Sequence, residues 1–426
     1  MTGVARSLLG ALCALLATSC AGVFQHARPA SIARYARTTA GAPLCVGSAE
    51  RDITPAVGGY LAGFDIARTS TRVASPLKVR ALVLQCGERR VAIVGIDNLG
   101  VMREDVDWIK RGLSGFAAGD VFVCASHTHA GPDLIGLWGF YFLSSGRDRD
   151  YLASVKQATV EAVAAARASA VPASLRLGEA SLPATGLVKN ANRAGVFDRR
   201  VTVLHATAVA DGQPLGTLLH LACHPEVLPR RNTALGADFV GDLCDRWRER
   251  GHGQAVFVNG ALGAMISPAV EERDEAGVKA FGAVACTVAE QALAGALPLP
   301  VDAVEVRRAD VYLPMISIGF RLGRLTTTLQ RELYDGDARS TVGYLRLGAF
   351  EAIAVPGEME PVFAAEVRAA LHRPELLVFG LCDDEVGYLL RGVDADDPEF
   401  DYERSMSPCR SAGERVRAAL VGATPQ

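Results

Sequence analysis

Apolar and polar positions follow two different rhythms along the chain from Leu44 onward. Short runs rich in Val and Ile, typical of buried strands, are separated by longer stretches with apolar residues at i, i+3 and i+4, typical of amphipathic helices. Alternation of these two patterns is the signature of a fold built from layers of sheet and helix. The chain is therefore predicted to adopt an α/β fold.

Ten segments are predicted to be strands. They are Val79–Leu84, Arg90–Ile96, Val121–Ala125, Val201–His205, Leu215–Cys223, Ala255–Asn259, Val304–Leu313, Val342–Leu347, Ala352–Val355 and Glu375–Leu381. The predicted helices are Arg103–Leu113, Tyr151–Ala170, Asp238–Arg250, Val270–Leu293, Met359–Leu371 and Ala412–Val421. The first two strands are joined by a short turn without a helix, which requires antiparallel pairing. We therefore expect a layered α/β domain with mixed β-sheets flanked by helices.

The amino terminus has the pattern of an export signal. Arg6 precedes an apolar run over residues 8–17, which is too short for a bilayer core of about 30 Å but typical of a signal peptide. Cys20 follows small residues, so either lipid attachment there or ordinary secretory cleavage is expected. Residues 1–20 are interpreted as the signal, 21–43 as a flexible tether and 44–426 as one domain. The protein is expected to be exported, as a periplasmic protein, an outer-membrane lipoprotein or a secreted protein.

Composition excludes several functional classes. Of the 426 residues, 50% are hydrophobic, so the chain has enough apolar material for a large core and is not a disordered protein. Its 44 basic and 47 acidic residues give a net charge of −3, and no block of Lys or Arg suggests a nucleic-acid partner. The sequence indicates no protein partner either.

Four of the eight histidines stand at the ends of apolar strands: His127 and His129 after Val121–Ala125, and His220 and His224 around the end of Leu215–Cys223. A His-x-His pair in extended chain points both imidazoles to one side, and polar groups at strand ends line the ligand crevice of open α/β sheets. Neutral imidazoles favour Zn²⁺. The alternative is that His127 only hydrogen-bonds a turn.

The segment from Cys124 to Pro132 reads Cys-Ala-Ser-His-Thr-His-Ala-Gly-Pro. It resembles the Ala-Thr-His-Thr-His-Ser-Gly-Pro segment of neutral/alkaline non-lysosomal ceramidases, zinc amidases that cleave the N-acyl bond of ceramide. Further segments resemble that family in the same order. They are Val46–Pro55 followed by Leu61–Phe64, Asn190–Arg193, Cys223–Pro225, Pro356–Glu358, and Gly380–Cys382 followed by Tyr388. The resemblance extends from residue 45 to about residue 407 and is to the N-terminal catalytic domain only.

The resemblance implies four zinc ligands: His127, His224, Glu358 and Tyr388. Two imidazoles, one carboxylate and one phenol oxygen form a donor set that suits Zn²⁺. Two of these residues have a simpler interpretation from the sequence alone. Glu358 would fit as an acidic residue at the start of the predicted helix Met359–Leu371, and Tyr388 as a half-buried aromatic residue.

By the same resemblance, His129, Arg193 and Tyr402 surround the attacked carbonyl, with His129 as the proton shuttle. Arg193 would alternatively be a surface ion-pair partner, and Tyr402 matches only if a short insertion follows Tyr388. The family carries a serine in a Gly-Asp-x-Ser-Pro turn. Here residues 259–266, which lead up to Ser267, include no acidic residue. Ser267 either approaches the pocket or belongs to a turn before the next helix.

The expected activity is zinc-dependent hydrolysis of the linear amide bond of ceramide or a related N-acyl lipid. The alternatives are a zinc hydrolase of another amide or ester, and a non-catalytic metal-binding surface lipoprotein. Residues Gly241–Arg246 resemble the Gly-Asp-x-x-Asp of binuclear metallophosphoesterases, but the Asn-His pair of that class is missing because Gly260 follows Asn259. A metal-dependent amidohydrolase barrel is disfavoured because the eightfold strand–helix repeat is lacking.

Overall fold

The computed structural model describes residues 25–26, 34–39, 43–140, 144–184, 186–301 and 303–425. The predicted signal peptide, including Cys20, lies outside these residues. Among the helices in the described part of the chain, none combines the length and the apolar character that a membrane crossing requires.

The structure forms strands and helices in alternation. The strands are β1 (Gln25–His26), β2 (Arg34–Thr39), β3 (Leu44–Asp52), β4 (Arg72–Val73), β5 (Lys78–Cys86), β6 (Arg89–Ile96), β7 (Val121–Ala125), β8 (Val171–Ser181), β9 (Val188–Asn190), β10 (Arg200–Ala208), β11 (Pro214–Leu221), β12 (Ala234–Leu235), β13 (Ala255–Asn259), β14 (Ile266–Pro268), β15 (Leu297–Pro298), β16 (Ala303–Pro314), β17 (Leu333–Tyr334), β18 (Asp337–Leu347), β19 (Phe350–Ala354), β20 (Glu358–Met359), β21 (Leu377–Phe379) and β22 (Tyr388–Leu389). The helices are α1 (Arg103–Gly112), α2 (Arg149–Ala168), α3 (Asp238–Trp247), α4 (Glu275–Ala294), α5 (Ile318–Leu325), α6 (Pro361–Ala370), α7 (Asp401–Ser405) and α8 (Ala412–Ala423).

Two large mixed sheets dominate the fold. The first has nine strands in the order β13-β11-β10-β8-β3-β5-β6-β7, with β15 also paired to β8. The second has seven, in the order β1-β17-β18-β16-β2, with β19 on β18 and β21 on β19. Most pairs in these two sheets are antiparallel, whereas β6 with β7, β11 with β13, β19 with β21 and β1 with β17 are parallel. The predicted α/β class with mixed sheets flanked by helices is confirmed.

Alternate residues of each strand pack into different cores, as the period of two requires. On β5, Leu82 and Leu84 join a cluster that also contains Leu345 and Phe379 of the second sheet, so this cluster lies between the two sheets. Val83 of the same strand packs instead with residues of α1 and α2. A third cluster joins the first sheet to α3 and α4, and a fourth joins the second sheet to α6 and α8. Helices therefore cover the outer faces and the sheets face each other.

The two sheets are joined where strands end. The Ala125 N–H at the end of β7 donates to the Leu381 carbonyl, which follows β21, at 3.1 Å. The Gly380 N–H donates to the carbonyl of Asn259, the last residue of β13, at 2.9 Å. These bonds bring together the carboxyl ends of strands from both sheets, and the loops that follow these ends carry the candidate site.

The structure differs from the predicted elements at a few places. Strands β1 and β2 lie inside the segment interpreted as a flexible tether and pair with β17 and β16. Pairing at a sheet edge uses backbone groups, so composition alone does not reveal it. Helix α6 begins at Pro361 with Glu360 as its N-cap, so Glu358 precedes the helix and lies in the short strand β20 instead. The strands β3 and β8 and the helix α5 were not predicted.

Candidate metal and catalytic centre

His127 stands two residues beyond β7, in a backbone conformation that L-residues rarely adopt. Its φ is 72°, and its N–H donates to the Asn98 carbonyl at 2.8 Å. The imidazole is buried, and its Nδ1 lies 2.7 Å from the Leu99 carbonyl. A donating Nδ1 leaves Nε2 as the free lone pair, which is the tautomer that a metal-binding imidazole needs. Strained backbone of this kind concentrates at functional sites.

His224 is held in the same way at the end of β11. Both its backbone N–H and its Nδ1 lie 2.8 Å from the Ile266 carbonyl, and the side chain is fully buried. The ring centroids of His127 and His224 are 4.9 Å apart. Each imidazole therefore presents Nε2 toward the same space.

Asn259, the last residue of β13, ties the two histidine-bearing strand ends together. Its Nδ2 donates to the Ser126 carbonyl at 3.0 Å and to the Cys223 carbonyl at 2.9 Å. Its Oδ1 accepts from the backbone N–H of Cys223 at 3.1 Å and of Gly260 at 3.0 Å. The side chain is fully buried. One amide group thus fixes the segments that lead into His127 and His224.

Glu358 and Tyr388 are neighbours in the parallel pair β20 and β22, which forms a separate two-stranded sheet. Glu358 Oε2 lies 3.0 Å from His224 Nε2, and Oε1 lies 3.5 Å from His127 Nε2. The Tyr388 hydroxyl lies beside the Glu358 carboxyl, whose pKa it helps to lower, and is 3.4 Å from Met265 Sδ. The structure therefore brings the four ligands implied by the family resemblance into one buried group.

His129 completes a cluster of three imidazoles. One ring nitrogen from each of His127, His129 and His224 lies within 4.8 Å of the others, a grouping that could hold a metal ion. Within the described residues, neither ring nitrogen of His129 has a hydrogen-bond partner although both are buried. The nearest carboxylate oxygen in an ion-pair arrangement is Oε2 of Glu226, at 3.7 Å from Nδ1. A buried ring nitrogen normally has a hydrogen-bond partner, so one is expected for this imidazole as well.

Electrostatics separate the roles of the ionisable groups. Burial lowers the pKa of His127 to about 4 and lowers the pKa of His129 well below its usual value. Burial also disfavours the charged form of His224, but the adjacent Glu358 carboxylate outweighs it and raises the pKa of His224. Burial disfavours ionised Glu358 as well, yet His127 and His224 together lower the pKa of this carboxyl. The ionised form of the Glu358 carboxyl is therefore favoured beside the imidazoles of His127 and His224.

A pocket opens onto this centre. Its walls are mostly apolar. The apolar lining residues are Leu99, Ile135, Leu137, Trp138, Met315, Phe320, Leu329, Val386 and Met406. Polar side chains enter at the histidine end and also at Arg331 and Glu385. Such a pocket suits an elongated apolar ligand that presents one polar group to the cluster.

The three remaining residues that the sequence predicts to be catalytic differ in whether they reach the pocket. Tyr402 lines the pocket, and its ring centroid is 6.0 Å from that of Tyr388. Arg193 does not line it: its guanidinium pairs with Asp394 and, at 3.3 Å, with Glu360. Ser267 lies in β14 rather than in a turn, and its Oγ donates to the Met265 carbonyl at 3.3 Å. The structure thus brings Tyr402 to the pocket, whereas Arg193 and Ser267 are not among its lining residues.

Sequence reasoning missed several residues of the site. Asn259 carries the same sequence signal as the histidines, a polar residue at the end of a buried strand, but it belongs to no motif of the site. Glu226, two residues after His224, carried no motif. Glu385 and Arg331 reach the pocket from loops that only the tertiary structure brings together. The acidic residue of the phosphoesterase-like motif, Asp242, pairs with Arg246 within α3 and does not line the pocket.

Comparison with known proteins identifies the fold. No protein-family model matches the sequence, and no curated protein matches it. The crystal structure of neutral ceramidase from Pseudomonas aeruginosa is similar, with a TM-score of 0.70 and 15% sequence identity, over 90% of this chain and 75% of that chain. A second structure, of a ceramidase complexed with C2, gives a TM-score of 0.71 and 16% identity, over 90% of this chain and 76% of that one. The resemblance seen in the sequence motifs is thus confirmed at the level of the fold.

Proposed function

We propose that this protein is a zinc-dependent amide hydrolase that cleaves the N-acyl bond of ceramide or a related N-acyl lipid. The observation that carries the proposal is the buried group of His127, His129, His224 and Glu358 at the polar end of an apolar pocket. The shared fold with neutral ceramidase structures supports it. The same four residues in a polar, open groove would have favoured a small hydrophilic substrate.

The donor set fits a zinc ion. His127, His224, Glu358 and Tyr388 would hold it, since both imidazoles have Nε2 free of backbone bonds and Glu358 approaches both rings. When bound, zinc supplies Lewis-acid polarisation of the scissile carbonyl and an activated water. The hydrogen bonds from Nδ1 to backbone carbonyls fix the tautomer of both rings before the metal arrives.

His129 is the residue best placed to move protons. Among the residues that the structure describes, its ring nitrogens have no hydrogen-bond partner, and they lie beside the proposed ligands. It would take a proton as the carbonyl is attacked and donate it to the nitrogen of the leaving amine. Glu226, at 3.7 Å from Nδ1, would keep the ring oriented. Tyr388 and Tyr402 offer phenol O–H groups at the same end of the pocket, where negative charge develops on the carbonyl oxygen.

Arg193 and Ser267 have indirect roles in this scheme. Arg193 would position the segment that carries Glu358 through its pair with Glu360. Ser267 follows Ile266, whose carbonyl holds His224, so it would support this backbone and would not attack the substrate.

A second candidate is a zinc hydrolase of a different amide or ester. The observation that favours it is that Arg331 and Glu385 both lie in the pocket wall, because polar side chains would be unfavourable beside a purely aliphatic chain. Within the described residues, Glu385 Oε2 and Arg331 Nε have no hydrogen-bond partner. A substrate with a polar group partway along its length would use them.

The experiment is hydrolysis of a set of N-acyl compounds by the purified full chain, with the released fatty acid and amine measured by chromatography. Long-chain N-acyl sphingoid bases should be cleaved, and short-chain amides and the corresponding esters more slowly. Cleavage should stop when zinc is removed by a chelator and return when zinc is added. His127→Ala should abolish it, and His372→Asn, which changes an exposed histidine, should not. Ester or small-amide turnover without N-acyl lipid turnover would favour the second candidate.

We also propose that the protein is exported and that Cys20 is its lipid attachment site. The support is the sequence pattern alone, so the test is separate. Expression in a bacterial host with labelled palmitate should label the wild-type protein but not Cys20→Ala, and both should lose the signal segment if ordinary cleavage occurs instead.

A further inference from the structure

Helix α5 exposes a row of large aliphatic side chains. Ile318 is 77% exposed, Leu322 41% and Leu325 58%, and Ile316 just before the helix is 54% exposed. Positions 318, 322 and 325 are spaced i, i+4 and i+7, so they share one face of the helix. We name Ile316, Ile318, Leu322 and Leu325 the outer face of α5. Contiguous exposed apolar surface of this kind usually marks an interaction site.

The opposite side of the same segment belongs to the catalytic pocket. Phe320 and Met315 are buried and line it. Tyr402, another pocket residue, is itself 55% exposed. Leu137, a pocket residue as well, approaches Gly323 of α5, and Phe140 on the same loop is 53% exposed. The apolar surface outside is thus continuous with the apolar wall inside.

Two arginines stand among these aliphatic residues. Arg321 is exposed and Arg324 is partly exposed. In the part of the chain that the structure describes, no carboxylate lies within ion-pair distance of either guanidinium, whereas many other arginines of this protein have one. An apolar helix face flanked by unpaired cations is the pattern of segments that lie in the interface of an anionic membrane.

We propose that the outer face of α5, with Phe140 and Tyr402 beside it, docks on a lipid bilayer that contains anionic headgroups, so that the pocket opens toward the membrane. The inference rests on the proposed function for its purpose, because an N-acyl lipid resides in a bilayer and would reach the pocket without crossing water. Its evidence, however, is the exposure and charge of this surface.

A second copy of the chain is a poorer fit to this surface. A helix of eight residues is about 12 Å long and about 10 Å wide, so its outer face covers far less than the about 800 Å² per partner that a stable dimer buries. Binding to a bilayer does not require a buried area of this size. Each aliphatic side chain that inserts into the bilayer adds its own contribution to binding.

The test is binding of the full chain to vesicles of phosphatidylcholine with and without phosphatidylglycerol, measured by flotation. The variant Ile318→Ser/Leu322→Ser/Leu325→Ser should bind at least about tenfold more weakly. Arg321→Gln/Arg324→Gln should lose only the part of binding that depends on phosphatidylglycerol and on low salt. The matched control is Val209→Ser/Leu297→Ser, which removes two aliphatic side chains of 65% and 72% exposure that do not line the pocket, and it should bind as wild type does.

Turnover separates this inference from the proposed function. The triple variant should hydrolyse a vesicle-embedded N-acyl lipid at least about tenfold more slowly but a water-soluble short-chain analogue at the wild-type rate. Failure of wild type to cleave either substrate would refute the proposed function and leave vesicle binding to be judged alone. Equal vesicle binding by the triple variant and wild type would overturn the docking proposal. So would a wild-type dimer in sedimentation velocity that the triple variant abolishes.

Discussion

His127 and His129 are two residues apart in sequence, yet the structure holds them very differently. His127 has its Nδ1 bonded to the Leu99 carbonyl and its Nε2 near Glu358. His129 has no hydrogen bond to either ring nitrogen within the described residues. A fixed imidazole is suited to hold a metal, and a free one is suited to move a proton. The family resemblance implies the same division.

Removal of each imidazole should therefore have a different effect on the metal. We expect His127→Ala to lose zinc and turnover together, whereas His129→Ala should keep about one zinc per chain and lose turnover by about 10² to 10⁴-fold. Elemental analysis of the purified variants, paired with rates on an N-acyl substrate, is the measurement. Loss of zinc from His129→Ala to the same extent as from His127→Ala would instead indicate a three-histidine site.

Asn259 is the second residue whose replacement should be informative. Asn259→Leu leaves the Ser126 and Cys223 carbonyls and the Cys223 N–H without their partner, whereas the Gly260 N–H keeps its bond to the Leu221 carbonyl. Unpaired buried polar groups cost about 1–3 kcal/mol each, so the free energy of unfolding should fall by at least about 2 kcal/mol in urea titration. Gln157→Leu, on the exposed face of α2, should change it by less than about 0.5 kcal/mol. A similar small change in both variants would refute the clamping role of Asn259.

At the scale of elements, two residues of the motif Leu61–Phe64, Gly63 and Phe64, lie in a loop that packs against His129. Gly63 has a φ of 94°, and a Cβ placed there would lie 2.6 Å from Cγ of His129. Phe64 packs edge-on against the same imidazole with ring centroids 4.7 Å apart. The loop is therefore shaped around His129, whose ring has no hydrogen-bond partner in the described part of the chain.

Gly63→Ala should displace the His129 ring. We expect a clear fall in kcat with zinc content unchanged, because the clash is with the proton-shuttling side chain and not with His127 or His224. The control is Gly58→Ala, where φ is also positive, at 106°, but no atom lies within 4 Å of the added Cβ. Both variants carry the backbone strain of a positive φ, so their difference in kcat measures the contact with His129. Equal kcat in the two variants would contradict the prediction.

Across the whole molecule, buried histidines make stability depend on pH. His220 on β11 is buried, with its Nε2 2.9 Å from the Val378 carbonyl on β21, so it joins the two sheets. Burial lowers its pKa to about 4, below the about 6.5 of an unfolded chain. Between these two values the unfolded state binds a proton that the folded state does not, so stability is complete above about pH 6.5 and is lost as the pH falls toward about 4.

Replacement of His220 by glutamine should flatten this dependence. His220→Gln keeps an N–H donor for the Val378 carbonyl but cannot titrate. The free energy of unfolding, measured in urea from about pH 7 to about pH 4, should therefore fall less steeply than in wild type, by up to about 1.4 kcal/mol per pH unit. Because the zinc ligands are present in both proteins, their protonation cancels in the comparison. Identical slopes would show that His220 does not contribute.

The sequence by itself determined the elements and the candidates. The pattern of apolar residues predicted strands such as Val121–Ala125 and Ala255–Asn259 with the bounds that the structure has. This succeeds because a buried strand requires apolar residues at consecutive positions of the sequence. The ordered motifs, through the family resemblance, imply His127, His224, Glu358 and Tyr388 as ligands without any knowledge of the geometry. The fold they implied is confirmed by the structural comparison.

Only the tertiary structure decided which of these residues meet. Asn259, Glu226 and Glu385 join the site because the ends of β7 and β13 from the first sheet and of β21 from the second converge there. Such long-range contacts produce no periodic pattern in the sequence. Arg193, in contrast, forms ion pairs with Glu360 and Asp394 and does not line the pocket. The position of a guanidinium depends on the carboxylates that the fold places near it, which the motif does not specify. The local pattern is fixed by which residues must avoid water, whereas the site is fixed by how the sheets pack on each other.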